Sequence, residues 1–155
     1  MSDTASVMKI KSFLRPESVL VDLRVPDKPA LLRVLSQLAA NTIHVSSEAV
    51  FTEIARREEL GSTGIGEGVA IPHARVAGVE TAFALAARLK PPVNFDSIDG
   101  RPVDLVFLLL APQSSTNEHL NVLAAVSRRL RERLVVERLR ASVDAEDFYR
   151  ALTSE

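Results

Sequence analysis

Arg57 and His73 bracket the run R-E-E-L-G-S-T-G-I-G-E-G-V-A-I-P-H. Four glycines fall in the eight positions 61–68 (Gly61, Gly64, Gly66 and Gly68), and so dense a set lets backbone N–H groups converge on an anion. Ser62 and Thr63 add hydroxyl donors, and the amides of Gly64, Ile65, Gly66 and Gly68 are further candidates for binding an oxyanion, phosphate first. The two commonest phosphate loops are excluded by detail. A Walker A loop needs a lysine after its last glycine, but Glu67 follows Gly66. A dinucleotide fingerprint needs strand, glycines, then helix, whereas residues 46–60 read as a helix before the loop and 69–71 as a strand after it. What is left is a loop able to hold one phosphoryl group beside the imidazole of His73. Its ordinary pKa of ~6.5 leaves much of it neutral and nucleophilic near pH 7.

The elements around this loop must aim its chemistry. Ser46 can cap the preceding helix, with Glu48 in the first turn and Gly61 able to end it. At ~100° per residue Val50, Ile54 and Arg57 share one stripe, so Arg57 sits where the core face meets the loop. An arginine there needs an anion. Spacing alone leaves open an ion pair with a carboxylate such as Glu58, or a phosphate. Pro72 leaves Ile71 extended and restrains the entry to His73. Downstream, Ser114, Ser115 and Thr116 offer a cap for a helix carrying His119, Leu123, Val126 and Leu130 on one face. His119 thus falls in a first helical turn, where a phosphoryl oxygen would meet free N–H groups; the alternative is a packed, hydrogen-bonded histidine. His44 precedes a helix in a loop and reads as structural or exposed.

Residues 82–89 and 103–110 are apolar strands, the second nearly uninterrupted, as in a strand covered on both faces. Asp99-Gly100 supplies turn chemistry between them. A shorter alternating segment, 19–23, could be another strand, and Asp27 can cap a helix over Leu31, Val34, Leu35 and Leu38 to about Asn41. Further helical segments start near Arg133 and Asp144, and residues 1–11 read as a polar tail. Together these predict an α/β protein, a β-sheet with helices on both faces, folded as a single domain over 12–155.

The ordered run L-G-S-T-G-I-G-E-G-V-A-I-P-H, with the later P-V-D-L-V-F-L-L-L-A-P, E-H-L and R-R-L segments, closely resembles the mannitol/fructose-type enzyme IIA proteins of the bacterial phosphoenolpyruvate-dependent phosphotransferase system. Its nearest resemblance there is to the stand-alone nitrogen-regulatory IIA proteins, over nearly the whole chain. The resemblance implies a mixed sheet flanked by helices and a phosphoryl group carried on His73, with Arg57 and His119 lining the same site. It implies a nitrogen-branch histidine phosphocarrier protein as donor, and regulatory or transport proteins as targets selected by phosphorylation state. It implies a phosphocarrier component rather than a turnover enzyme, with no cofactor. A sugar-transport member would instead pass the group to a separate enzyme IIB.

Composition restricts the other classes. Lys plus Arg number 19 and Asp plus Glu 20, interspersed, so no basic face advertises nucleic acid or an anionic membrane. The absence of cysteine excludes disulfides, thiolate catalysis and cysteine-ligated metal. The N-terminal M-S-D-T-A-S lacks the features of a signal peptide, and the strongly apolar run at 105–111 is too short to span a bilayer, so a cytoplasmic protein without membrane insertion is expected. His44, His73 and His119 could supply three zinc ligands, but no H-E-x-x-H or other metal spacing exists. No G-x-S-x-G elbow supports a serine hydrolase. An anion-sensing or protein-interaction module without covalent chemistry would keep the loop and never take a phosphoryl group.

Overall fold

The computed structural model describes residues 8–154. In chain order, a 3-10 turn at Ile10–Ser12 leads into β1 (Leu14–Leu23), α1 (Lys28–Ile43), α2 (Ser47–Glu59), β2 (Gly64–Gly66), β3 (Val69–Ala70), β4 (His73–Val76), β5 (Phe83–Val93), β6 (Val103–Pro112), α3 (Asn117–Leu130), α4 (Arg133–Ala141) and α5 (Ala145–Thr153). The strands make one mixed six-stranded sheet in the order β1-β5-β6-β3-β2, with β4 also pairing with β6. β1 runs parallel to β5, β5 antiparallel to β6, and β3 and β4 lie end to end, both parallel to β6 along the same edge.

β6 divides the molecule. Leu105, Phe107 and Leu109 join a core under α3, α4 and α5, while Val106, Leu108 and Leu110 join a second core under α1 and α2. This alternation follows from the two-residue period of a strand, and helices on both faces explain why the segment has almost no polar interruption. Each such side chain contributes roughly 1.5–3 kcal/mol by leaving water. The expected α/β architecture is therefore the observed one.

The caps at Asp27 and Ser46 form as expected. Asp27 Oδ1 accepts from the amide of Ala30 at 2.9 Å, and Ser46 Oγ from that of Ala49 at 3.1 Å. Several boundaries differ. α1 continues to Ile43, and His44 caps its C-terminus in the left-handed conformation (φ 60°). β1 begins at Leu14 rather than at 19: Arg15, Pro16 and Glu17 break the alternation, and the pairing with β5 shifts register there. β5 runs on through Pro91 and Pro92 to Val93 with a similar shift. The expected strand at 69–71 stops at Ala70, because Pro72 has no N–H to continue the ladder. Of the expected tail, residues 1–7 lie outside the described residues, but Ile10 is buried in the core under α3 to α5.

Candidate functional site

The glycine run folds as a hairpin, not as an open anion cradle. β2 and β3 pair antiparallel, and the amide of Ile71 donates to the carbonyl of Thr63 at 3.0 Å. Several polar groups of the run are engaged within the protein. Ser62 Oγ donates to the carbonyl of Phe95 (2.8 Å) and accepts from the amide of Gly64 (3.0 Å). Glu58 accepts from both the amide (3.1 Å) and the hydroxyl of Thr63. The amide of Glu67 donates to Asp99 Oδ2 at 3.0 Å, which with the amide of Arg101 holds that carboxyl below its ordinary pKa. Gly64 is required by close approach, since a Cβ there would lie 2.1 Å from Ser97 Oγ.

Glu58 is also the buried partner of Lys28, whose Nζ lies 3.0 Å from its Oε1; the two side chains are 6% and 15% exposed. Lys28 in turn donates to the carbonyl of Phe95 at 3.2 Å. The end of α2, the start of α1, the hairpin and the 95–99 turn are thus tied into one buried polar network. That network answers the question left by spacing: Glu58 is occupied, and among the described residues no carboxylate pairs with Arg57. Arg57 Nη1 instead donates to the carbonyl of Gly61 at 2.8 Å, leaving the rest of its guanidinium fork for another acceptor.

His73 opens β4 directly after Pro72. The carbonyl of Pro72 accepts from the amide of Leu109 (2.9 Å), and His73 then sits in register with Leu109. Ala74 and Val76 point into the core under α1 and α2, so His73 and Arg75 point to the opposite face, toward the start of α3. His119 stands there in the first turn of α3, its ring centroid 5.3 Å from that of His73 and tilted by 48°. The amide of His119 donates to Ser115 Oγ at 3.3 Å, whereas Thr116, the N-cap position, makes no side-chain cap bond. Ser115 therefore does the capping that the Ser-Ser-Thr run promised.

His73, Arg57 and His119 share one open cleft of about 440 Å³, which Glu53, Arg56, Leu60, Ala74, Arg75 and Gln113 complete. Ser62, Thr63, Gly64, Ile65, Gly66 and Gly68 do not line it. Within the hairpin the Ser62 hydroxyl and the amides of Thr63, Gly64 and Glu67 are held by Phe95, Glu58, Ser62 and Asp99. His44 lines a different cleft, beside Lys11, Arg15 and Glu80, so the three histidines do not converge. Among the described residues no group of three or more His, Asp or Glu could hold a metal ion, and no helix is long and apolar enough to cross a membrane. Sequence reasoning passed over Arg75, although its position two residues after His73 in a strand puts both on one face.

The electrostatics favour a neutral, nucleophilic His73. Burial is the largest influence and lowers its pKa below the ordinary 6.5. Its hydrogen bond to the Ile71 carbonyl opposes this, Arg57 lowers the pKa further, and Glu58 raises it. His119 is lowered as well, by burial first and then by the nearby charges of His73 and Arg75. His73 Nδ1 lies 2.8 Å from the carbonyl oxygen of Ile71. A carbonyl only accepts, so Nδ1 carries the proton and Nε2 keeps its lone pair.

Residues 12–155 match the family described as "Phosphoenolpyruvate-dependent sugar phosphotransferase system, EIIA 2". A nitrogen regulatory protein of Bradyrhizobium diazoefficiens is 44% identical over 145 residues, 94% of this chain and 95% of that protein. The crystal structure of nitrogen regulatory protein IIA-Ntr from Neisseria meningitidis superposes with a TM-score of 0.87 at 38% identity, covering 93% of this chain and 99% of that one. The Escherichia coli mannitol enzyme IIA, solved in complex with phosphorylated enzyme IIB, has a TM-score of 0.75 at 20% identity, covering 92% of this chain and all of that one, and shares the fold. The chain therefore belongs to the EIIA 2 family of the phosphoenolpyruvate-dependent sugar phosphotransferase system, where it groups with the nitrogen regulatory proteins.

Proposed function

We propose that this protein is a cytoplasmic regulatory phosphocarrier. It accepts a phosphoryl group on Nε2 of His73 from a nitrogen-branch histidine phosphocarrier protein and regulates target proteins according to its phosphorylation state. The observation that carries this reading is the Nδ1–H bond from His73 to the Ile71 carbonyl, which fixes the tautomer and leaves Nε2 as the one ring nitrogen able to attack.

The transfer balances without a cofactor or metal. The Nε2 lone pair forms a new N–P bond in line as the donor's N–P bond breaks, and the departing donor imidazole keeps that bond's electron pair. His73 retains its Nδ1 proton and becomes a phosphoimidazolium whose positive charge the Ile71 carbonyl stabilises. Positioning and charge stabilisation are the whole of the protein's task. Arg57 takes phosphoryl oxygens with the free part of its fork, and His119 donates a hydrogen bond from across the cleft. The hairpin contributes by fixing the end of α2 and the start of β4 relative to each other.

Relatives named as nitrogen regulatory proteins support a role in nitrogen regulation, with regulatory or transport proteins as the targets. A second reading, transfer onward to a separate enzyme IIB in sugar uptake, is favoured by the shared fold with the mannitol enzyme IIA solved with its IIB. Incubation with the phosphoenolpyruvate-driven donor chain, followed by intact mass, tests the proposal: one phosphoryl group is expected. Addition of a candidate IIB separates the readings, because a true acceptor discharges the phosphoprotein and a regulatory target does not. No mass gain at all would leave a non-covalent anion-sensing module.

A further inference from the structure

Arg75 is the cleft residue that the phosphocarrier reading leaves without a role. It follows His73 by two positions in β4, so the two side chains rise from the same face of the same strand, about 7 Å apart along it. Its Nη1 donates to the carbonyl of Ser115 at 3.1 Å, which holds the guanidinium against the turn that starts α3. Among the described residues it has no carboxylate partner, whereas its neighbour in the cleft, Arg56, is paired with Glu53 at 3.2 Å. An arginine held by one Nη at a backbone carbonyl, without a counter-charge, keeps Nε and Nη2 available for an anion.

Arg57, His73, Arg75 and His119 all line the one cleft, Arg57 from the end of α2 and Arg75 from β4, where its guanidinium is held at the turn that starts α3. The two imidazoles are 5.3 Å apart by ring centroid. A phosphoryl group on Nε2 of His73 carries its charge on three oxygens, more than one fork can hold. We infer that Arg75 is a second guanidinium ligand of the phosphoryl group, contacting it from the α3 side of the cleft while Arg57 contacts it from the α2 side. The inference rests on phosphorylation of His73. It assigns the Ser115 carbonyl a purpose: it orients the Arg75 fork before the anion arrives, so that little side-chain freedom is lost on transfer.

The test compares wild type, Arg75→Gln and Arg75→Lys as full chains charged by the phosphoenolpyruvate-driven donor chain. Single-turnover transfer is followed over a range of phospho-donor concentrations, and rates are normalised to the folded fraction at each melting curve. The limiting rate at saturating donor should fall roughly tenfold or more for Arg75→Gln, with Arg75→Lys between it and wild type, as for loss of one charge-stabilising ligand. An unchanged limiting rate with a raised half-saturation concentration would make Arg75 a docking cation and overturn the inference. Unchanged normalised rates with a lowered melting temperature would make it a tether for the Ser115 turn and overturn it equally. Failure of the wild type itself to take a phosphoryl group would instead overturn the phosphocarrier reading.

Discussion

The Nδ1 atom of His73 lies 2.8 Å from the carbonyl oxygen of Ile71, two residues back across Pro72 in its own chain. The contact is local, so it needs no long-range packing to form, and the proline limits the angles that could break it. It selects the imidazole nitrogen that faces the cleft, and it makes the protonation state of His73 a direct readout of the site.

His73 and His119 should both titrate below the ordinary 6.5 in ring-proton NMR, because burial, the leading cause for each, opposes the charged form. Between the lowered folded value and the ordinary unfolded one, the unfolded chain binds more protons. Stability is therefore full above the ordinary value, falls as pH drops through this window, and levels off below the folded pKa. Phosphoryl acceptance should instead fall at the low end of this window, as pH drops through the lowered folded value and His73 gains the proton that blocks its lone pair. Arg57→Gln should move the His73 midpoint upward, and an unmoved midpoint would put the Arg57 charge away from the ring.

Arg57→Lys keeps the charge and loses the planar fork. Transfer should slow by at least tenfold, ~1.4 kcal/mol of lost transition-state stabilisation. Melting should change little, because Arg57 makes no ion pair with a described carboxylate and its bond to Gly61 is exposed. A wild-type rate with a sharply lower melting temperature would restore the structural reading of this residue.

His119→Gln retains a donor in the first turn of α3, while His119→Ala removes it. If His119 bonds the phosphoryl group, transfer per folded molecule should decrease from wild type to Gln to Ala. Equal normalised rates would remove it from the site and leave it as a packed neighbour of His73.

The network behind the site should respond in stability instead. Lys28→Met strands the buried Glu58 carboxylate and should cost about 3 kcal/mol in denaturant unfolding. Gly64→Ala drives a methyl group into Ser97 Oγ and should cost about 1–3 kcal/mol, part of which Ser97→Ala returns. Additive losses in that double variant would show that the hairpin and the 95–99 turn do not meet as described.

Periodicity and caps made most of the fold legible. The Leu31–Leu38 stripe, the caps at Asp27 and Ser46 and the apolar run of β6 depend on residues within a few positions of each other, and such signals are local. The glycine run was not legible in the same way. Four glycines say nothing by themselves of the hairpin, whose contacts come from residues far along the chain: Phe95 and Asp99 take polar groups of the loop, and Ser97 fills the space beside Gly64. The strand starting at Leu14 was hidden by Pro16, which an irregular stretch of β1 accommodates. Arg57, His73 and His119, which share one cleft, were singled out by residue type and resemblance. Arg75 needed the strand register, because its sequence neighbourhood carries no glycine or cap to draw attention to it.

The most direct measurement is the identity of the phosphorylated atom. After charging by the phosphoenolpyruvate-driven donor chain, wild-type protein and His73→Ala should be compared by intact mass, and the wild-type imidazoles assigned by nitrogen and phosphorus NMR. One acid-labile, base-stable phosphoryl group on Nε2 of His73, with Nδ1 still protonated and no gain in His73→Ala, is the expected result. Phosphoryl on Nδ1, an acid-stable group on Ser62 or Thr63, or full charging of His73→Ala would contradict the assignment of His73 Nε2 as the acceptor.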